Sequence, residues 1–235
     1  MTIDAPDDTT TGHTLPKAPR WPEVLAGGAA YAASFVLVAV LLPLVGDAAV
    51  AGVVGLVASG AMGLSALAVA VLIRIRGLSA FGVRRAKPRH LVVAAVLGLV
   101  AYVLGTIAAV AYMQVSGNTE NVQTSYQAAA TAAWWSLALA VVAGAIITPL
   151  GEEAFFRGVL ANALLARYRT WIAVIVSAAI FAVAHGINPI LPAAFVVGVL
   201  TALLFRWSGS IWPGVVLHGV NNATALLVPL LLAPA

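Results

Sequence analysis

No cysteine occurs in the 235 residues. Disulfides, thiolate metal ligands and a cysteine nucleophile are excluded together. Charge is scarce too: 9% of residues are Asp, Glu, Lys or Arg, against about 25% in a soluble domain. With 62% hydrophobic residues the chain is not an ordinary water-soluble globule. Nor is it a disordered chain, which needs low hydrophobicity and high charge. The composition leaves an all-α, polytopic transmembrane helical bundle. The net charge of +4 does not argue for nucleic acid, because Arg74, Arg76, Arg84, Arg85, Lys87 and Arg89 crowd one short loop.

Residues 1–23 read as a disordered polar tail, with Asp4, Asp7, Asp8 and a threonine run. The acidic start and the long first apolar run do not make a signal peptide, so no cleavage is expected. A membrane span needs about 20 apolar residues. The candidates are Val24 to Val45, Ala48 to Ile73, Leu91 to Met113, Thr131 to Tyr168, Trp171 to His185, Ile190 to Phe205 and Ile211 to Leu232. These are seven segments, or eight if the stretch interrupted near Pro149-Leu150-Gly151 crosses twice. They divide into N-terminal membrane helices (24–130, with a basic loop at 74–90) and a C-terminal membrane domain (131–233). Basic residues favour the cytoplasmic side. Besides the 74–90 loop, Arg167, Arg169 and Arg206 close segments, whereas the Gln114–Gln127 loop holds Glu120 and neither Lys nor Arg. Seven crossings with the N-terminus in the cytoplasm and the C-terminus outside satisfy this pattern. Ala51, Gly55, Ser59 and Gly63 fall four apart and form a small-residue seam for close helix packing.

An ionisable group inside a membrane segment is costly and faces a cavity or a partner. Glu152, Glu153, Arg157, His185 and His218 are such groups. Glu153 and Arg157 are four apart and share a helix face. Pairing them leaves Glu152 as the freer carboxylate, suited to taking and returning a proton. His185 ends an apolar helix four residues after Phe181. His218 and Asn222 project from one face of the last helix, where they can orient a water, donate to an oxyanion or bind a metal. Depth does not match for all of them. Glu152 lies ~23 Å along its helix from Arg167 and His185 ~21 Å from Trp171, but His218 only ~10 Å into the last helix.

The residues read Glu152-Glu153-Ala-Phe-Phe-Arg157, then Phe181-Ala-Val-Ala-His185, then His218-Gly-Val-Asn221-Asn222. The order EExxxR, FxxxH, HxxxN resembles the CAAX protease and bacteriocin-processing (CPBP) family of intramembrane endopeptidases. The resemblance covers about Thr131 to Asn222. It implies that Glu152 and His185 activate a water, that His218 and Asn222 stabilise the oxyanion, and that Glu153 and Arg157 support them. It also implies a membrane-associated protein or peptide substrate in a lipid bilayer, that of a bacterial plasma membrane. Zinc held by Glu152, His185 and His218 is an open alternative, since family members have been described both as metalloproteases and as glutamate proteases. HExxH is missing, and no cofactor is favoured. A non-catalytic immunity or binding protein and a proton-coupled transporter are the competing functions. Prenyl-CAAX cleavage, bacteriocin processing and regulator cleavage stay open as substrates.

Overall fold

The computed structural model describes residues 18–232. Their regular elements are all helical, as a bilayer demands of a chain whose backbone groups must pair internally. The helices are α1 (Trp21–Leu41), α2 (Ala48–Ile73), α3 (Pro88–Ser116), the short α4 (Thr124–Thr131), α5 (Trp134–Leu165), α6 (Thr170–Val183), α7 (Leu191–Ser208) and α8 (Trp212–Leu232).

Six helices are long and apolar enough to cross a membrane, and α6 is a shorter apolar helix. The expectation of seven or eight spans is not confirmed by helix length and composition, which support six. With 14 residues, α6 reaches ~21 Å, less than a ~30 Å hydrocarbon core. It stops at Val183, and Gly186 turns the chain away at φ +86°. The break expected at Pro149-Leu150-Gly151 is absent, because α5 continues through 32 residues. A π turn at Ala143–Ile147 accommodates the proline: the Thr148 N–H reaches back to the Ala143 carbonyl. A second π turn, Phe156–Ala161, lies beyond the glutamates.

Of the tail expected over residues 1–23, residues 1–17 lie outside the described residues. Its last residues are built into the bundle. Trp21 starts α1, and Glu23 is fully buried, 2.9 Å from Arg74. Arg167 donates to the Pro19 carbonyl (2.9 Å) from the end of α5.

The centre of the bundle is α5, in which every residue from 151 to 161 is buried. Its neighbour is the seam side of α2. Thr148 Oγ1 donates to the Leu56 carbonyl at 2.6 Å. A Cβ on Gly63 would overlap the Gly151 carbonyl, and one on Gly151 would overlap that of Gly60. Glycine at these positions lets two backbones touch, the geometry that small residues provide in membranes. On the other side α3 packs against α7 and α8, and α6 against α7.

The basic loop does not simply lie outside the bundle. Its turn Leu78–Phe81 enters it: Phe81 is fully buried, Asn162 Nδ2 donates to the Ala80 carbonyl (2.8 Å), and the Ile211 N–H to that of Gly82 (3.0 Å). Arg84 Nε donates to the Gly209 carbonyl (2.6 Å), and Arg89 sits over Trp207 at 5.8 Å. These contacts gather the basic ends of α1, α2, α3, α5, α6 and α7 at one end of the molecule.

Gly63→Val is expected to cost ~3 kcal/mol or more through overpacking against a backbone that cannot yield. Gly46→Ala, which meets nothing within 4 Å, should be neutral. Thermal unfolding and monodisperse yield in detergent compare the two.

Candidate active site

Glu152 and Glu153 lie on α5 between its two π turns and are 3% and 0% exposed. Burial of neighbouring carboxylates requires compensation. For Glu153 it comes from Arg157, whose Nε is 3.1 Å from Oε2, one turn on. The same guanidinium donates from Nη2 to Thr201 Oγ1 and, at 3.4 Å, to the Gly198 carbonyl. Its Cζ lies 4.4 Å over the Phe181 ring, a cation–π contact in a dry site. Glu153 Oε1 faces His218 Nδ1 at 3.3 Å.

Glu152 is held differently. Ser59 Oγ, from α2, donates to Oε1 at 2.6 Å. Oε2 is buried without a hydrogen-bond partner. It faces His218 Nε2 at 3.8 Å and His185 Nε2 at 3.9 Å.

The ends of helices aim both imidazoles. The last carbonyls of a helix lack intrahelical partners. At the end of α6 the His185 N–H bonds the Ala182 carbonyl, and Nδ1 of the same residue takes the Phe181 carbonyl at 2.9 Å. Nδ1 is thus the donor, which leaves the Nε2 lone pair facing Glu152. The four-residue FxxxH spacing is the reach of this bond. Asn188 fastens the turn, donating to the His185 carbonyl (2.7 Å) and accepting from the Ile190 N–H (2.8 Å). His218 is nearly two turns into α8, and the mismatch in depth disappears because the first turn of α8 already lies beside the site. That turn abuts Glu153: a Cβ on Gly214 would lie 2.5 Å from Oε2.

Asn222 is not in direct contact with this group. Its Nδ2 donates to the Gly144 carbonyl at 3.0 Å, and its Oδ1 accepts from Asn221. That carbonyl is available for a structural reason. The Thr148 N–H is drawn back to Ala143, and Pro149 has none to give. The structure therefore brings together Glu152, Glu153, Arg157, His185 and His218, and sets Asn222 a turn further along α8, on the wall of the same cavity.

That cavity has a volume of about 1310 Å³ and reaches Glu152, His185 and His218. Among the described residues, no three His, Asp or Glu side chains are grouped so as to hold a metal ion. The Glu152–His distances of 3.8 and 3.9 Å exceed the ~3.4 Å between donors on a tetrahedral zinc with bonds of ~2.1 Å. In this arrangement the three side chains do not fit zinc. Glu152 Oε2 and His185 Nε2 are left as acceptors, with His218 Nε2 opposite them, around a gap of the size of a water.

Residues 133–224 match the family model described as Type II CAAX prenyl endopeptidase Rce1-like. This stretch is similar to an Rce1-like domain. It contains the five grouped residues and Asn222, and it agrees with the family resemblance of the motifs. None of the curated proteins and none of the solved structures matches the chain. The Rce1-like segment does not include α2. Ser59 was visible in the sequence only as one small residue of a seam, with nothing to show which helix the seam would meet. Asn188 had a clearer signal, an Asn-Pro step after Gly186 that marks a turn.

Arg157→Ala leaves Glu153 as a buried charge facing only His218. A loss of ~3–5 kcal/mol is expected, as for a broken buried ion pair. A Tm in detergent equal to that of the wild type would show that Arg157 does not support Glu153.

Proposed function

We propose that the protein is an intramembrane endopeptidase that cleaves a membrane-associated polypeptide with a water activated by Glu152 and His185. The observation that carries this reading is the unpartnered Glu152 Oε2, buried at the cavity and facing two imidazole Nε2 atoms. A buried carboxylate oxygen with no donor is poised to accept a proton from a water held between it and the histidines. The Rce1-like match supports the reaction class.

In the proposed reaction the water yields a proton to Glu152 Oε2 while its oxygen attacks the scissile carbonyl carbon. His185, its tautomer fixed by Phe181, orients the water through Nε2. Negative charge then develops on the carbonyl oxygen. His218, backed at Nδ1 by Glu153, supplies Nε2–H to it when doubly protonated. Asn222 has one amide N–H left beyond its bond to Gly144 and completes that side. Donors placed for the developing charge are the largest single contribution in acyl transfer. Collapse of the intermediate breaks the C–N bond, and the proton on Glu152 passes to the leaving amine. Ser59 holds Oε1, so the reacting oxygen is Oε2. The predominantly apolar lining of the cavity suits a membrane segment over a soluble peptide. The name of the matched family makes a prenylated CAAX peptide the first substrate to try.

Purified full-length protein in detergent, given prenylated CAAX peptides and a quenched membrane-peptide library, should cleave at least one of them. Glu152→Ala and His185→Ala should abolish cleavage while membrane expression persists. Wild-type cleavage by either variant would sink the mechanism. Cleavage should survive a strong chelator. Its loss, restored by zinc, would make Glu152, His185 and His218 metal ligands instead. Ser59→Ala should lower kcat about ten- to a hundred-fold, the worth of a hydrogen bond to a charged group, with KM nearly unchanged and Ser59→Thr restoring it. Equal kcat in wild type and Ser59→Ala would show that the hydroxyl does not position Glu152.

A further inference from the structure

The lining of the site's cavity reaches one end of the bundle and not the other, and the charges of the bundle say which side of the membrane that end is. From Glu152 the cavity runs along the second half of α1, the first half of α2 and the second half of α8, and ends at Gly46, Val122 and Gln127. These three rim residues are exposed and lie in the connections after α1 and α3 or on α4. No residue of the basic loop lines it. Toward the basic end the site is closed by the inserted Leu78–Phe81 turn, with Phe81 fully buried against α5.

Charge distinguishes the two ends without any count of crossings. Apart from the buried Arg157, every Lys and Arg from residue 20 onward sits at the closed end: Arg20, the 74–89 loop, Arg167, Arg169 and Arg206. The contacts Arg74–Glu23, Arg167–Pro19, Arg84–Gly209 and Arg89–Trp207 tie these segments to one another. The rim end carries Asp47 and Glu120 and neither Lys nor Arg. Such an asymmetry over short loops sets orientation in the membrane, with the basic end in the cytoplasm.

We infer that the mouth of the cavity faces the non-cytoplasmic side, so that the site takes polypeptides whose cut bond is presented at or within the outer leaflet. The substrate half of this inference rests on the protease reading above; the orientation half does not. The substrate class is then a membrane-tethered segment that approaches from the outer face. A cytoplasmic tail would meet the closed end, and the Phe81 turn lies between it and Glu152.

The absence of cysteine makes the test direct, because single introduced thiols are the only ones in the chain. Gly46→Cys points into open space, and Gly77→Cys meets nothing closer than Ser79 Oγ at 3.9 Å and removes no charge. Val122→Cys provides a second rim position. Full-length variants are expressed in bacterial cells, which are converted to spheroplasts and treated with a membrane-impermeant maleimide before and after permeabilisation. Gly46→Cys and Val122→Cys should label in intact spheroplasts, and Gly77→Cys only after permeabilisation. Labelling of Gly77→Cys in intact spheroplasts, or protection of both rim thiols, overturns the inference. Cleavage is read separately, with a peptide added to the outside of intact spheroplasts and Glu152→Ala as control. Rim thiols that label from outside, with no peptide cleaved in any arrangement, would strike the protease reading and leave the orientation standing. Cleavage confined to peptides delivered to the cytoplasmic side would overturn the outer-face substrate.

Discussion

Two adjacent carboxylates taken out of water determine the rest of this structure. An uncompensated charge in a dry interior is far too costly to keep. Four neighbours of α5 therefore contribute to the surroundings of Glu152 and Glu153. From α2 comes a hydroxyl; from α8 an imidazole and a glycine backbone. The end of α6 presents a second imidazole, and α7 ties down the guanidinium that faces Glu153. The glycines of α2 and α5 permit the close approach on which the Ser59 hydroxyl depends. The bundle is shaped so that one carboxylate is ion-paired with a guanidinium and the other turns one oxygen toward the cavity.

That division explains why two neighbouring, chemically identical residues have different surroundings. Glu153 faces the Arg157 guanidinium with one oxygen and the His218 ring with the other. Glu152 has one oxygen fastened and the other turned toward the cavity. Similar logic separates the histidines. His185 is fixed through a backbone carbonyl that its own helix left free. His218 is aimed through a carboxylate, Glu153, at Nδ1. In the proposed reaction one imidazole holds the water and the other faces the developing negative charge.

Much of this was legible in the sequence. Sparse charge in a long apolar chain made every ionisable residue conspicuous, and the four-residue spacing of Glu153 and Arg157 already implied their pairing. The His and Asn motifs could be assigned to helices from spacing alone. What escaped the sequence depended on contacts between distant segments. The seam of α2 was apparent, but its partner and the use of Ser59 were not, since packing partners leave no local mark. Glu23 looked like part of a polar tail because its partner Arg74 is fifty-one positions away. The end of α6 falls two residues before the expected His185, as apolar composition continues to Ala184 while the helix ends at Val183. The π turns were invisible because inserting one residue into a uniformly apolar helix does not change its composition.

Those two π turns have a consequence for how such a sequence can vary. Each holds one residue more than the α-helical ladder calls for, and each residue added or removed turns the following helix by ~100°. The first sits just ahead of the glutamates and the second just after them. Losing one residue from the first would straighten α5 and rotate Glu152 and Glu153 away from both histidines, even though each substituted position remained apolar. Between Gly144 and Ala161 the number of residues is therefore under tighter constraint than most of their identities: variation here should proceed by substitution, with insertions and deletions confined to the connections between helices.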